Sequence, residues 1–187
     1  MAPQRFLFDP PERFVAGTVG EPGQRTFFLQ ARDAARLASV VLEKEQVALL
    51  AERLDALLDE VARRVPGAAV PVAPPEAVED LAPLEQPIDP DFRVGTMTLA
   101  WDGSDNRVVI EAFAAADGDE DDTEAAAAEP SDRDRMVVRI THDAARAFVR
   151  RAHAVVAAGR PPCPLCGLPL DPHGHVCPRL NGHRPRT

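Results

Sequence analysis

The sequence predicts an α+β protein made of two β-β-β-α units that form one antiparallel-sheet body with two helices, plus a C-terminal zinc knuckle. Three observations support this prediction. Short β-rich runs around Gly/Pro turns precede a stretch of helical period, and the same order then recurs. A Pro-rich segment separates the two copies. All three cysteines of the 187 residues fall between positions 163 and 177.

The first unit is expected over residues 1–65. A short strand at 5–8 precedes two strands, 13–19 and 25–31, which flank a Gly/Pro turn and indicate a hairpin. Residues 36–42 give the next strand. From Glu43 onward apolar residues recur at i, i+3, i+4 and i+7, which is typical of an amphipathic helix that ends at Pro66-Gly67.

Residues 66–91 hold seven prolines and six acidic residues with no basic one. This composition predicts an extended linker in place of a helix or strand. Its few apolar side chains, Leu81, Leu84 and Ile88, are expected to dock on the core.

The second unit is expected over residues 92–159. Phe92–Met97 repeats the pattern of Phe14–Val19: an aromatic residue, two others, Gly-Thr and an apolar residue. Strands are predicted at 107–113 and 135–140, followed by a helix with Thr141 as its N-cap. The pattern indicates an internal duplication, and a true repeat implies an approximate two-fold that joins the units edge to edge.

Residues 117–134 contain nine acidic residues and one arginine. Because like charges repel one another and apolar anchors are missing, this segment is predicted to be a disordered acidic loop.

The tail, residues 160–187, carries Cys163, Cys166, His175 and Cys177, in the order Cys-x2-Cys-x8-His-x-Cys. Three thiolates and one imidazole form a tetrahedral Cys3His set, and four protein ligands leave no open position, which predicts structural zinc. His173 and His183 are alternatives for the fourth ligand. Nearby prolines argue against the strand-to-helix junction of a redox CxxC.

The net charge of −9 is unevenly distributed, since the two linkers are acidic and residues 135–187 carry nine arginines and two acids. This basic third predicts a protein partner, with nucleic acid as the alternative. The candidate contact residues are Arg146, Arg150, Arg151 and Arg179. No apolar run is long enough for a membrane span and no signal peptide is evident, so a cytoplasmic protein is expected. The oligomeric state is not predicted.

No catalytic motif is present, so a non-enzymatic role is favoured. The alternative is an enzyme or sensor that binds a phosphorylated or other anionic small molecule between the two units. Its candidate contacts are two arginines, Arg25 and Arg107, and two strand glycines, Gly17 and Gly95. For the glycines, close packing is the competing explanation.

Several segments together resemble an uncharacterised actinobacterial family, a domain of unknown function. These are residues 8–19, 25–32, 42–46 and 92–97 and the Cys163–Cys177 knuckle. The resemblance covers nearly the whole chain outside the linkers and implies a cytosolic protein without an assigned activity. Its Gly-His-x-Cys ending implies His175, in preference to His173, as a ligand.

Overall fold

The protein contains one seven-stranded sheet and two helices. The computed structural model describes residues 3–34, 36–65, 67–116, 132–159, 162–168, 170 and 175–179. The strands are β1 (Arg5–Phe8), β2 (Arg13–Val19), β3 (Thr26–Asp33), β4 (Arg36–Leu42), β5 (Phe92–Asp102), β6 (Arg107–Ala114) and β7 (Arg135–Ile140). The helices are α1 (Lys44–Arg64) and α2 (His142–Ala157), and a short 3-10 turn covers Glu76–Val78.

The order of strands across the sheet is β1-β7-β6-β5-β4-β3-β2. Each predicted unit therefore contains three antiparallel strands followed by a helix, as expected. Because the two units share this order of elements, the fold suggests a duplication. The predicted antiparallel pairing holds within each unit, and two pairings outside the units differ from it. The pairs β4·β5 and β1·β7 are parallel, so the sheet is mixed.

The two units join edge to edge, since the junction pairs the last strand of one unit, β4, with the first strand of the other, β5. The units therefore follow one another along the sheet in the same direction. An approximate two-fold between the units stays a prediction.

The sheet curls, because its two end strands, β1 and β2, are joined only by residues 9–12. Five residue steps span at most roughly 17 Å, whereas a flat seven-stranded sheet is about 29 Å wide. A contact across the curl agrees with this, since the Arg36 guanidinium of β4 lies 5.5 Å from the ring centre of Phe8 of β1.

Both helices cover the same face of the sheet, since one buried apolar cluster contains side chains from every strand and from both helices. The apolar stripe predicted for the first helix is buried there, with Leu54 and Leu58 fully inaccessible. In α2, Phe148 stacks on Phe14 of β2 with 4.7 Å between ring centres. The predicted N-cap is confirmed, because Thr141 Oγ1 accepts from Ala144 N at 3.2 Å.

The second part of the Pro-rich linker, residues 84–88, is bound to the opposite face of the sheet. Leu84 is buried beside Val15 and Phe28, and Ile88 packs against the same small cluster. Leu81 is 83 % exposed, so the docking expected for the linker is found at Leu84 and Ile88 and not at Leu81. The backbone around residue 85 is held as well: Gln30 Nε2 donates to Glu85 O at 3.0 Å and Gln30 Oε1 accepts from Glu85 N at 2.8 Å.

Most of the predicted acidic loop, residues 117–131, lies outside the described residues. Its last residue, Asp134, is fixed in the structure. Asp134 Oδ1 accepts from Gln4 N at 2.6 Å, and its carbonyl accepts from Ala114 N at 2.8 Å. Within the described part of the predicted loop, Asp134 is therefore held by hydrogen bonds.

Candidate metal centre

The Cys163–Gly167 segment forms a tight turn that aims two thiols in one direction. Gly167 N donates to Cys163 O at 2.8 Å, and Cys163 N donates to Leu168 O at 2.7 Å. Gly167 has φ +75°, a left-handed conformation that glycine adopts without the steric penalty of a Cβ. This local geometry explains why the second cysteine is followed by glycine.

The second pair of ligands, His175 and Cys177, returns to the same point. The candidate ligand atoms of all four predicted residues lie within 4.8 Å of one another. Cys163 Sγ and Cys177 Sγ are 3.9 Å apart, and Cys166 Sγ lies 3.2 Å from His175 Nε2. The structure thus brings together the predicted set, and the four groups are compatible with a metal site.

Backbone N–H groups in the turn favour ionised sulfur. Hydrogen bonds to Cys163 Sγ, the strongest from Cys166 N, lower the pKa of the Cys163 thiol, whereas burial raises that of Cys166. Leu165 N also points to Cys163 Sγ, at 3.4 Å. Such N–H···S contacts complement a thiolate that ligates a cation.

Three thiols and one imidazole can supply four ligands, the number that a tetrahedral structural metal site uses. Cys163 and Cys177 are buried, while Cys166 and His175 are partly exposed. The alternative ligands His173 and His183 lie outside the described residues.

Two of the arginines predicted to contact a partner are buried and bound within the chain. Arg146 pairs with Asp55 and Asp59 of α1 and donates from Nε to Pro71 O at 2.9 Å. Arg151 donates from Nε to the carbonyl of Ala16 in β2 at 2.7 Å. Both guanidinium groups therefore join elements of the fold.

The other two arginines of this set are exposed. Arg150 pairs with Glu79 of the linker and its side chain is 64 % accessible. Arg179 lies two residues beyond Cys177 on the surface of the knuckle. A contact surface for a partner on these residues stays a prediction.

The two strand glycines predicted to contact an anionic ligand make close packing contacts instead. A Cβ on Gly17 would lie 2.6 Å from Leu84 side-chain atoms, and a Cβ on Gly95 would lie 2.8 Å from Ala115 Cα. Gly95 also sits at the β-bulge of β5. The strands β2 and β5 are three positions apart in the sheet, about 14 Å, so the two glycines do not meet.

Arg25 and Arg107, which are predicted to contact the same anionic ligand, lie at the ends of different strands. Arg25 Nη1 donates to Val155 O at 3.3 Å, and its guanidinium lies 5.3 Å from the ring centre of Phe27. Arg107 begins β6, opposite Asp102, and its Nη1 is buried with no hydrogen-bond partner among the described residues. A ligand site on these arginines stays a prediction.

Sequence reasoning missed a buried charge cluster between the linker and the body. Arg13 of β2 and Arg151 of α2 both bind the Asp80 carboxylate, with Arg13 Nη2 at 3.1 Å and Arg151 Nη1 at 3.3 Å from Oδ1. Arg13 chiefly lowers the pKa of Asp80 through its hydrogen bond. Asp80 is 67 positions from Arg13 and 71 positions from Arg151 in the chain, so no local pattern indicates the contact.

The fold and the site define an α+β protein with a mixed sheet and a four-ligand Cys/His centre. Among the described residues no helix is long and apolar enough to cross a bilayer. Residues 6–177 match the family described as "Protein of unknown function (DUF3090)", and the chain belongs to that family. No curated protein and no solved structure matches the chain. The family description names neither an organism nor a metal, so the actinobacterial origin and the zinc stay predictions.

Proposed function

We propose that this protein is a non-enzymatic, zinc-stabilised binding protein. The observation that supports this most directly is the convergence of Cys163, Cys166, His175 and Cys177, whose candidate ligand atoms lie within 4.8 Å of one another. A site of this kind contributes folding free energy to a segment that has too few apolar residues for its own core. The knuckle is then a rigid surface and not a reactive centre.

The donor set favours zinc over other common cations. Three thiolates and one imidazole suit a soft or borderline ion with tetrahedral preference, whereas calcium and magnesium require oxygen ligands. Zinc–sulfur bonds of about 2.3 Å place two sulfurs about 3.8 Å apart in a tetrahedron. The Sγ–Sγ distance of 3.9 Å between Cys163 and Cys177 agrees with that geometry. Thiolates that bind a metal are retained in a reducing compartment, which supports a cytoplasmic location.

The proposed partner is a protein with an acidic and partly apolar surface. The knuckle exposes three apolar side chains, those of Leu165, Leu168 and Val176, next to the positive charge of Arg179. Arg150 adds a second exposed charge on α2, and Cys163 follows the last residue of that helix by only six positions. No aromatic residue lies between Cys163 and Cys177 for bases to stack on, which favours protein over single-stranded nucleic acid.

The test combines metal analysis with partner capture. Protein purified without added metal is expected to carry one zinc per chain, and Cys166→Ser is expected to lose it. The tagged protein should capture one acidic partner from native lysate, and chelator or Cys166→Ser should abolish capture. The double variant Leu165→Ser/Leu168→Ser keeps all four ligands and tests the surface alone. It should retain zinc and lose the partner.

Three outcomes of this experiment would contradict the proposal. Absence of stoichiometric zinc would overturn the metal assignment. Turnover that depends on the metal would overturn the non-enzymatic role. Capture of nucleic acid with a steep dependence on salt concentration would replace the protein partner by the alternative, because neutralised phosphates release counter-ions.

A further inference from the structure

A cavity of about 420 Å³ lies between the two units, beneath the linker. Its floor is formed by apolar side chains of β2, β7 and α2, including the stacked pair Phe14 and Phe148 together with Ile140 and Ala147. Its roof is the linker segment 77–80. The volume falls in the range of small-molecule sites, which combine a mainly apolar lining with a few converging polar groups.

The polar groups that converge here are the two guanidinium groups of Arg13 and Arg151. Each side chain is only about 10 % accessible, and both belong to the body of the fold. Their shared counter-ion, Asp80, belongs to the linker. Without that carboxylate the body would hold two neighbouring buried positive charges, an arrangement that requires an anion.

The other acidic residues at or near this cavity do not neutralise Arg13 and Arg151 together. Glu12 pairs with Arg32, and Glu79 pairs with the exposed Arg150. Arg13 Nη1 also lies 3.5 Å from a carboxylate oxygen of Glu85. Asp80 is therefore the one carboxylate among the described residues that touches both arginines, and it is 31 % accessible to solvent.

The roof is attached to the body mainly by polar contacts. Asp80 is bound by Arg13 and Arg151, and Glu79 pairs with Arg150, while Val78 is exposed. Just beyond the roof, Arg13 donates to the carbonyls of Ala82 and Pro83, each at 2.9 Å. A segment with few buried apolar contacts opens at low cost in free energy. The apolar anchor of the linker, Leu84, lies beyond the cavity, so the roof can move while the anchor stays in place.

We propose that this cavity binds an organic anion, a carboxylate or phosphate joined to a planar apolar body. The acid group replaces the Asp80 carboxylate between Arg13 and Arg151, and the apolar body packs against the floor at Phe14 and Phe148. Asp80 acts as an internal competitor that neutralises the arginines until the ligand arrives. The site differs from the one predicted on Arg25 and Arg107, and it is independent of the knuckle.

The experiment uses phenyl phosphate as the probe, with inorganic phosphate and phenol as its two halves. Calorimetric titration is applied to the full chain, to Asp80→Asn and to Glu76→Gln, a matched loss of one exposed carboxylate from the same linker outside the cavity lining. Asp80→Asn should bind phenyl phosphate at least about tenfold more tightly than the wild-type chain, because the competing charge is gone. Glu76→Gln should bind like the wild type, and neither half of the probe should match the whole.

A second variant tests the cavity without touching the charges. Ala147 lines the floor and is partly buried, so Ala147→Met fills the space; combined with Asp80→Asn it should abolish binding of phenyl phosphate. Equal affinity in Asp80→Asn and the wild type, or binding that survives Ala147→Met, would overturn the proposal. If Asp80→Asn does not fold, the wild-type chain and Ala147→Met are compared at high probe concentration. Equal signals there also overturn it.

Discussion

The side chain of Leu84 occupies the space that a Cβ on Gly17 would need. An added Cβ would lie 2.6 Å from both Cγ and Cδ2 of the leucine. The glycine in β2 is therefore matched to an apolar residue of the linker, 67 positions later in the chain. This contact gives the Pro-rich segment its fixed place on the outer face of the sheet.

The first prediction is a coupled response of these two positions. Leu84→Ala should lower the free energy of unfolding by roughly 2–3 kcal/mol, as for other buried leucines. Gly17→Ala should also destabilise the chain, because it displaces the leucine. In the Leu84→Ala background, however, the same change should cost much less, since the space is then free.

The measurement is a double-mutant cycle by urea unfolding. Gly103→Ala is the control, because its added Cβ would meet only Trp101 Nε1 at 3.5 Å. It should leave stability nearly unchanged. Additive effects of Gly17→Ala and Leu84→Ala would show that the two residues do not share one space.

The second prediction concerns Gln30, which is 1 % exposed and binds both backbone polar groups of Glu85. Gln30→Leu removes both bonds and leaves the Glu85 N–H and C=O without their partners. We expect a loss of roughly 2–4 kcal/mol, because each unpaired buried polar group costs about 1–3 kcal/mol. Faster hydrogen exchange at the Glu85 amide should accompany it.

The control for that change is Gln24→Leu in the exposed turn between β2 and β3. This variant makes the same glutamine-to-leucine change at an exposed side chain. It should change the unfolding free energy by less than about 0.5 kcal/mol. Unchanged exchange at Glu85 in Gln30→Leu would argue that the amide is protected by something other than the glutamine.

The third prediction identifies the fourth metal ligand. His175→Ala should weaken zinc binding by at least about tenfold, because His175 Nε2 lies 3.2 Å from Cys166 Sγ. His173→Ala should retain the wild-type affinity. His153→Ala, an exposed histidine on α2, controls for the loss of an imidazole elsewhere. Competition with a chromogenic chelator gives the affinities, and the reverse ranking of the first two variants would move the ligand to His173.

The fourth prediction is a dependence of stability on acid pH that involves Asp102. A hydrogen bond from Ser104, followed by one from Arg139, lowers the pKa of Asp102 to about 2 in the folded state, from an ordinary value of 3.8. Because the folded pKa is the lower one, this stabilisation is complete above the ordinary pKa and is lost as the pH falls towards 2.

Asp102→Asn should therefore be less stable than the wild type at neutral pH, and the difference should shrink between about pH 4 and pH 2. Unfolding by urea at a series of pH values measures it. Asp89→Asn, a change at an exposed linker acid, is the control and should not show that narrowing. A constant difference between Asp102→Asn and the wild type would contradict the pKa assignment.

Local features of the chain were predictable because their signals are local. The helical periodicity from Val47 to Val61 predicts the buried face of α1, and the prediction of Thr141 as an N-cap is confirmed. The parallel pairing of β4 with β5 could not be predicted from the sequence, because the edge strands of two similar units can pair in several ways. The arginines of α2 were assigned to a partner because sequence gives charge without accessibility, and the fold buries Arg146 and Arg151.

By itself the sequence determined the three candidate thiol ligands: Cys163, Cys166 and Cys177 lie within fifteen residues of one another, so a short turn suffices to bring the thiols together. Only the tertiary structure decided which charges meet, as in the contact of Asp80 with Arg13 and Arg151. Contacts between distant segments depend on how the whole sheet curls and on which side chains must then share a buried space. No short stretch of sequence encodes that geometry.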